Sequence, residues 1–353
     1  MNGGHFMSEI TSVVLDAMGG DNSPGEMVSG CVTAVKEKKE LFVYLVGPES
    51  RLKDELSKYD YPKERIMVVH APDEISTHDA PVQAIRTKKN SSMVVGLELV
   101  RQGKADGFVS AGNSGAVLVG GQLMVGRLKG IERAPLAPIM PTVNGVSLLL
   151  DCGANVDPKP SQLVQFAQMG SIYMQYVMGV DRPRVGIVNI GAEEEKGNTL
   201  VKKTFPLLKA CEDIHFIGSV EARDFPYGVA DVVVTDAFVG NVMLKLTEGL
   251  CSGLLHLIKD GMTSTPVSTM GAALVKPHLK QVLKTFDASE YGGAPLLGLN
   301  GLVVKIHGNA THKEVKNALF QVQTFKQQDI NGKINAYLGR QKEKAGGEQD
   351  VEL

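Results

Sequence analysis

The sequence predicts an α/β protein, with a mostly parallel sheet flanked by helices. Three observations lead there. Short β-branched runs alternate with amphipathic helical patterns. Each run ends in a polar, glycine-bearing loop, and a helical pattern follows the loop. A chain of 353 residues is long enough to bury a large core. One catalytic domain over 7–340 is expected, with two lobes sharing a sheet as a permitted variant.

The elements follow in order. Thr11 to Leu15 reads as a strand and runs into Asp16-Ala17-Met18-Gly19-Gly20-Asp21-Asn22-Ser23-Pro24. Ser23 is expected to cap the next helix and Pro24 to open it. Leu41 to Val46 and Ile66 to Val69 are the next strands. Ala105 to Ser110 leads into Ala111-Gly112-Asn113-Ser114-Gly115, and Val146 to Leu150 into Asp151-Cys152-Gly153-Ala154-Asn155. Val185 to Ile190 leads into Gly191-Ala192-Glu193-Glu194-Glu195-Lys196-Gly197-Asn198, and Asp231 to Thr235 into Asp236-Ala237-Phe238-Val239-Gly240-Asn241. Leu302 to Ile306 is a further strand, followed by His307-Gly308-Asn309. Ligands of such sheets lie beyond the carboxyl ends of the strands, so these loops are expected to meet at one cleft.

Leu244 to Ile258 is strongly apolar and helical in period, Gly261 to Pro266 breaks it, and a helical pattern resumes from Ala272 to Phe286, interrupted by Pro277. The segment 250–286 is expected to project as a helical hairpin serving dimer or membrane contact. Its apolar residues Leu250, Leu254, Leu257 and Ile258 fit packing as readily as lipid contact. Thr311 to Gln323 reads as a helix and 341–353 as a frayed tail.

Composition removes several classes. Charged residues make up 22% and hydrophobic residues 43%, which is globular rather than disordered. A net charge of -2 gives no reason to expect nucleic-acid binding. Four scattered cysteines, Cys31, Cys152, Cys211 and Cys251, form no CxxC pair and suit a reducing compartment. They are expected to be buried or inert. The opening residues lack the apolar core of a signal peptide, and Met7 reads as the natural start. No segment has the apolar length of a membrane span.

The glycine loops match neither GxGxxG nor GxxxxGK[ST], so no dinucleotide is expected. A small anion suits them better. Backbone amides with Gly112, Asn113 and Ser114 can surround phosphate, and Lys196 can add a point charge. A solvated lysine balancing Glu193, Glu194 and Glu195 is the competing reading. Asn241 sits at another strand-to-helix transition, with Lys245 one turn later. Glu221 and Arg223 form either a structural ion pair or a brace for a phosphate loop. His307 is a turn histidine, a hydrogen-bond donor or an acid-base group. His78 and Asp79 lack spaced partners for a metal set, and no GxSxG elbow supports a serine acyl-enzyme.

In combination these loops resemble the bacterial phosphate acyltransferases of phospholipid synthesis. The resemblance is carried by Val14 to Asp21, Lys88-Lys89-Asn90-Ser91-Ser92-Met93, Val109 to Ala116, Asp151 to Asn155, Met169 to Tyr173, Asn189 to Gly197, Val220 to Asp224, Gly240 to Lys245, Tyr291 to Leu296 and Lys305 to Gly308. Thr77-His78-Asp79-Ala80-Pro81 departs from a more acidic family stretch. The resemblance implies an isopropylmalate-dehydrogenase-like fold, also seen in phosphotransacetylases, and a cofactor-free, metal-free transfer of a long-chain fatty-acyl group from acyl carrier protein to inorganic phosphate. It further implies a cytoplasmic homodimer with peripheral contact at the inner face of the membrane. Its pathway partner would be a glycerol-3-phosphate acyltransferase, the enzyme making lysophosphatidic acid.

Because phosphate is itself a nucleophile, no protein nucleophile is needed. Lys196 is then expected to neutralise phosphate, Asn241 to donate to the carbonyl oxygen, and His307 to position reactants or pass a proton. Gly112, Asn113, Ser114, Glu221, Arg223 and Lys245 are the expected substrate-binding set. Competing readings are a phosphotransacetylase acting on coenzyme A esters, a metal- and nicotinamide-dependent dehydrogenase, and a lipid-binding adaptor without turnover.

Overall fold

The computed structural model describes residues 10–338, in which strands and helices largely alternate along the chain. The strands are β1 (Thr11–Asp16), β2 (Leu41–Gly47), β3 (Ile66–His70), β4 (Gly107–Ser110), β5 (Ile139–Thr142), β6 (Gly145–Leu150), β7 (Arg184–Asn189), β8 (His215–Glu221), β9 (Val232–Val234), β10 (Ala294–Leu296) and β11 (Leu302–Lys305). The helices are α1 (Gly25–Glu37), α2 (Glu49–Leu56), α3 (Pro81–Thr87), α4 (Ser92–Arg101), α5 (Ser114–Gly120), α6 (Pro160–Tyr176), α7 (Thr199–Lys209), α8 (Ala237–Thr263), α9 (Pro266–Thr285) and α10 (His312–Gln327). The expected tail 341–353 and the opening residues before Met7 lie outside the described residues.

Contacts divide the chain into two units. The first is built from residues up to 136, with 176–179 and from 289 onward; the second from 137–175 and 180–288. Each has its own sheet, where the sequence reading allowed two lobes sharing one. In the first unit the strand order is β10-β11-β4-β1-β2-β3, all parallel except the β10–β11 pair. In the second it is β5-β6-β9-β7-β8, all parallel except β5–β6. Central strands are apolar on both faces because helices cover both, as in Val13, Val14 and Leu15 of β1 and Val232, Val233 and Val234 of β9, all fully buried.

Several local expectations are corrected. Ser23 does not cap α1; its hydroxyl donates to the carbonyl of Gly19, and Pro24 takes the cap position without a side-chain bond. The β7 strand ends at Asn189, leaving Ile190 in the loop. Helix α8 begins at Ala237 and continues through Gly261 to Thr263, and α9 runs from Pro266 straight through Pro277. Its start is secured by a capping box between Thr265 and Ser268. Together α8 and α9 form the projecting helical segment: only Ala237 and Gly240 of α8 are buried, and no residue of α9 is. No described helix is long and apolar enough to cross a membrane. Cys31 and Cys152 are buried, and burial pushes both thiols up; Cys251 is exposed on α8.

Candidate active site

Polar residues gather at the carboxyl ends of the parallel strands in each unit. In the first unit, β1 ends in Asp16, whose carboxylate is fully buried. It accepts the Ser110 hydroxyl at 2.7 Å and the Met18 amide at 3.1 Å. Burial pushes this carboxyl up, and hydrogen bonds from Ser92, Ser110 and the amides of Met18 and Gly19 oppose the shift. Ser110 in turn accepts the Gly112 amide at 3.0 Å. Asp16 therefore fixes the β1 and β4 loops to each other. Gly19 and Gly112 allow that approach, since a Cβ on Gly19 would stand 2.5 Å from the Gly112 nitrogen.

Asn113 caps α5 by accepting the Ala116 amide at 3.0 Å. Its amide donates to the carbonyls of Ser76, Thr77 and Asp79 at 3.0, 3.3 and 3.1 Å. The side chain is thus used in tying the 76–79 loop to α5, and the exposed Ser114 hydroxyl is the loop's open donor. Lys88 holds the same loop through Asp79 at 2.6 Å and the Glu74 carbonyl at 3.1 Å. His307 follows β11; its amide donates to Glu314 at 2.9 Å. The carbonyl of Gly308 receives the Asp21 amide at 2.7 Å, joining this loop to the β1 loop. Lys305, not singled out from sequence, reaches the Ala111 carbonyl at 3.3 Å. A cavity of 520 Å³ lies among Met18, Pro48, Arg51, Pro72, Glu74 and Lys88, and none of the predicted site residues lines it.

In the second unit, β6 is followed directly by the buried Asp151, which accepts the Asn155 side-chain amide at 2.7 Å and the Ala154 amide at 3.2 Å. The Asn155 carbonyl then receives the amide of Ala237 at 2.9 Å, docking the start of α8. Asp236 caps that helix, accepting the amides of Phe238 and Val239 at 3.0 and 2.9 Å. The docking is so close that a Cβ on Gly240 would stand 1.9 Å from the Asp151 carbonyl oxygen. Asn241 is the next residue, exposed, with no side-chain partner within the described chain.

Asn189 closes β7. Its amide donates to the Ser219 hydroxyl at 3.0 Å and to the Lys196 carbonyl at 3.3 Å, and its oxygen accepts the Ile190 amide at 2.8 Å. It thereby shapes the loop that carries Lys196. The Lys196 ammonium lies 2.8 Å from Glu193, which lowers the Glu193 carboxyl and raises the lysine. Glu194 pairs with Lys209 at 2.6 Å instead. Glu221 ends β8, with Arg223 3.1 Å away and largely in solvent. Lys245 pairs with Glu248 at 2.7 Å.

The first unit thus holds Gly112, Asn113, Ser114 and His307, and the second Glu221, Arg223, Lys196, Asn241 and Lys245. Sequence reasoning passed over Asp16, Asp151 and Asn189 as site builders. Their common signal is an acid or amide closing an apolar strand just before glycine.

Comparison with known proteins adds the chemistry. A family model described as fatty acid synthesis protein matches residues 11–333. A phosphate acyltransferase of Alkaliphilus oremlandii is 51% identical over 313 residues, covering 89% of this chain and 93% of that protein. A phosphate acyltransferase of Clostridium botulinum is 48% identical over 323 residues, covering 91% and 97%. Among solved structures, a phosphotransacetylase from Streptococcus pyogenes superposes with a TM-score of 0.59 at 17% identity, covering 90% of this chain and 94% of that one. A branched-chain phosphotransacylase from Enterococcus faecalis gives 0.52 at 15%, covering 89% and 98%. At such identities these two structures speak for the fold alone.

Proposed function

The chain belongs to the fatty acid synthesis protein family and is a phosphate acyltransferase; from that premise we propose that it moves a long-chain fatty-acyl group from acyl carrier protein to inorganic phosphate. The observation that carries the reading is the extent of likeness to phosphate acyltransferases, about half identical across nine-tenths of the chain. The strand-end loops supply the parts the reaction needs.

An oxygen of phosphate attacks the thioester carbonyl and forms the new C–O bond. The C–S bond then breaks, the electron pair leaves with sulfur, and the carrier thiol takes up a proton. A thiol of pKa about 8.5 leaves readily, so the protein's task is placement and charge. Lys196 exchanges Glu193 for the phosphate dianion, on a loop already shaped by Asn189. Asn241 offers an unengaged amide to the developing oxyanion, in a position fixed by Gly240 against Asp151. On the first unit, Ser114 and the Gly112 loop contact substrate, with Asn113 as the residue that positions them. Arg223, Glu221 and Lys245 border the second unit's loops and exchange their present partners for substrate. His307 belongs to the same first-unit set. The homodimer, a peripheral membrane surface at the inner face, and hand-over to a glycerol-3-phosphate acyltransferase belong to the same proposal.

The test is thiol release from palmitoyl acyl carrier protein with and without phosphate. Phosphate-dependent release, with acyl phosphate as product, is expected. Faster turnover of palmitoyl-coenzyme A than of the carrier-protein donor would replace this reading with a phosphotransacetylase-like one.

A further inference from the structure

Beyond the carboxyl ends of three adjacent strands of the second unit, the chain carries an exposed large apolar residue within six residues of each strand. Val156 follows β6, Phe238 follows β9 and Ile190 follows β7, with β9 between the other two. Phe238 is 66% exposed and Ile190 79%. Their backbones are fixed. The Ala237 amide bonds the Asn155 carbonyl at 2.9 Å, so Val156 and Phe238 each lie one residue beyond a bonded pair. The β7–β9 register pairs Ile187 with Val234, three residues before Ile190 and four before Phe238.

Helix α8 continues the same surface. At about 100° per residue, Phe238, Val242 and Leu246 fall within an arc of about 80°, and all three are exposed. The opposite side packs inward through Ala237, Gly240, Met243 and Leu244. Asn241 and Lys245 lie beside the apolar stripe, on its border with the buried side. One helix therefore sets a polar edge next to an apolar one, at the strand ends that also carry Lys196.

We propose that Val156, Ile190 and Phe238, continued by Val242 and Leu246, form the lip that binds the donor's acyl chain and sets a preference for long chains. This rests on the acyl-transfer reading above. The reactants of that transfer have one apolar part, the acyl chain, and it must leave the reacting carbonyl beside Lys196 and Asn241. From Phe238 to Leu246 the helix advances about 12 Å, a stretch that a long chain covers and a butyryl group does not. Contiguous apolar surface beside polar loops otherwise carries a cost in water.

The test compares palmitoyl and butyryl acyl carrier protein as donors to phosphate in the native protein, Ile190→Ser and Phe238→Ser. Each substitution is expected to lower the palmitoyl-to-butyryl ratio of kcat/KM about tenfold or more, the scale of burying one large apolar side chain. Phe238→Leu is expected to restore most of the ratio. Equal losses with both donors, or an unchanged ratio, overturn the lip and leave acyl transfer standing. A changed oligomeric state in Phe238→Ser with an unchanged ratio assigns the surface to a second copy and overturns it as well. Absence of phosphate-dependent release from either donor by the native protein overturns acyl transfer and the lip together.

Discussion

Asn189 shapes the loop that carries Lys196. Its side chain bonds the Lys196 carbonyl, the Ser219 hydroxyl and the Ile190 amide. Gly197, at φ +99°, completes the turn, where a Cβ would press within 2.6 Å of the Asn189 oxygen. If Lys196 neutralises phosphate as proposed, Lys196→Ala is expected to lower kcat and kcat/KM together by about a hundredfold or more while leaving the unfolding midpoint unchanged, since its ion pair with Glu193 is exposed. Wild-type acyl-phosphate formation by the folded variant would remove Lys196 from the mechanism. Gly240→Ala is a different experiment. Its methyl has no space against the Asp151 carbonyl, so a stability loss of about 1–3 kcal/mol is expected by denaturant titration; a neutral result would mean that α8 is not seated on β6. Lys196 and Asn241 were singled out from sequence because glycine marks their loops. Asn189 and Asp16 were not, because strand-end polar residues reveal their partners only once distant strands align.

At the scale of elements, the sequence reading located β1, β2, β3, β4, β6, β7, β9 and β11 by their apolar runs, took the residues before Glu221 as strand-like, and passed over β5 and β10. β1, β2, β6 and β7 were found because both faces are buried. β5 and β10 are the antiparallel outer strands, with Pro141 and Pro295 interrupting their apolar pattern. β8 lies at the opposite edge of the second sheet, where its burial is partial. The two-helix segment was legible in outline, but Pro277 was given too much weight: α9 passes through it. Arg184 and Asp231 tie the start of β7 to the approach to β9. The Asp231 carboxylate accepts the Arg184 amide at 2.7 Å and its guanidinium at 2.9 and 3.0 Å. Burial acts to raise the Asp231 carboxyl, but these bonds outweigh it and hold the carboxyl below its ordinary value. A depressed folded-state pKa means that the unfolded chain takes up the proton first. The contribution is therefore present above about pH 4 and is lost as pH falls through the lowered value. Asp231→Asn is expected to cost about 2 kcal/mol at pH 7 and to flatten the decline of stability with acid below pH about 4. An acid limb as steep as the native one would show that the carboxylate does not carry this dependence.

At the scale of the whole molecule, the α8–α9 segment poses the largest unsolved burial. Leu250, Leu254 and Leu257 on α8 and Val267, Met270 and Leu274 on α9 are all largely exposed. Helical pairs without an apolar face buried against a third element are marginal in water, and a surface of this kind marks an association site. A second copy related by a twofold axis would place α8 and α9 of each chain against those of the other, giving four helices around a shared core. A membrane surface competes for the same residues, and the two separate by position: packing requires the middle of the helices, lipid contact the connecting tip near Met262. The native protein is expected to sediment at twice the mass of one chain, and Leu254→Glu at the mass of one chain, because a carboxylate in that core would be buried without a partner. Met262→Glu is expected to keep the dimer and to lose flotation with anionic liposomes. A native protein that sediments as single chains would overturn the four-helix arrangement. Flotation that survives Met262→Glu but not Leu254→Glu would move the lipid surface to the middle of α8.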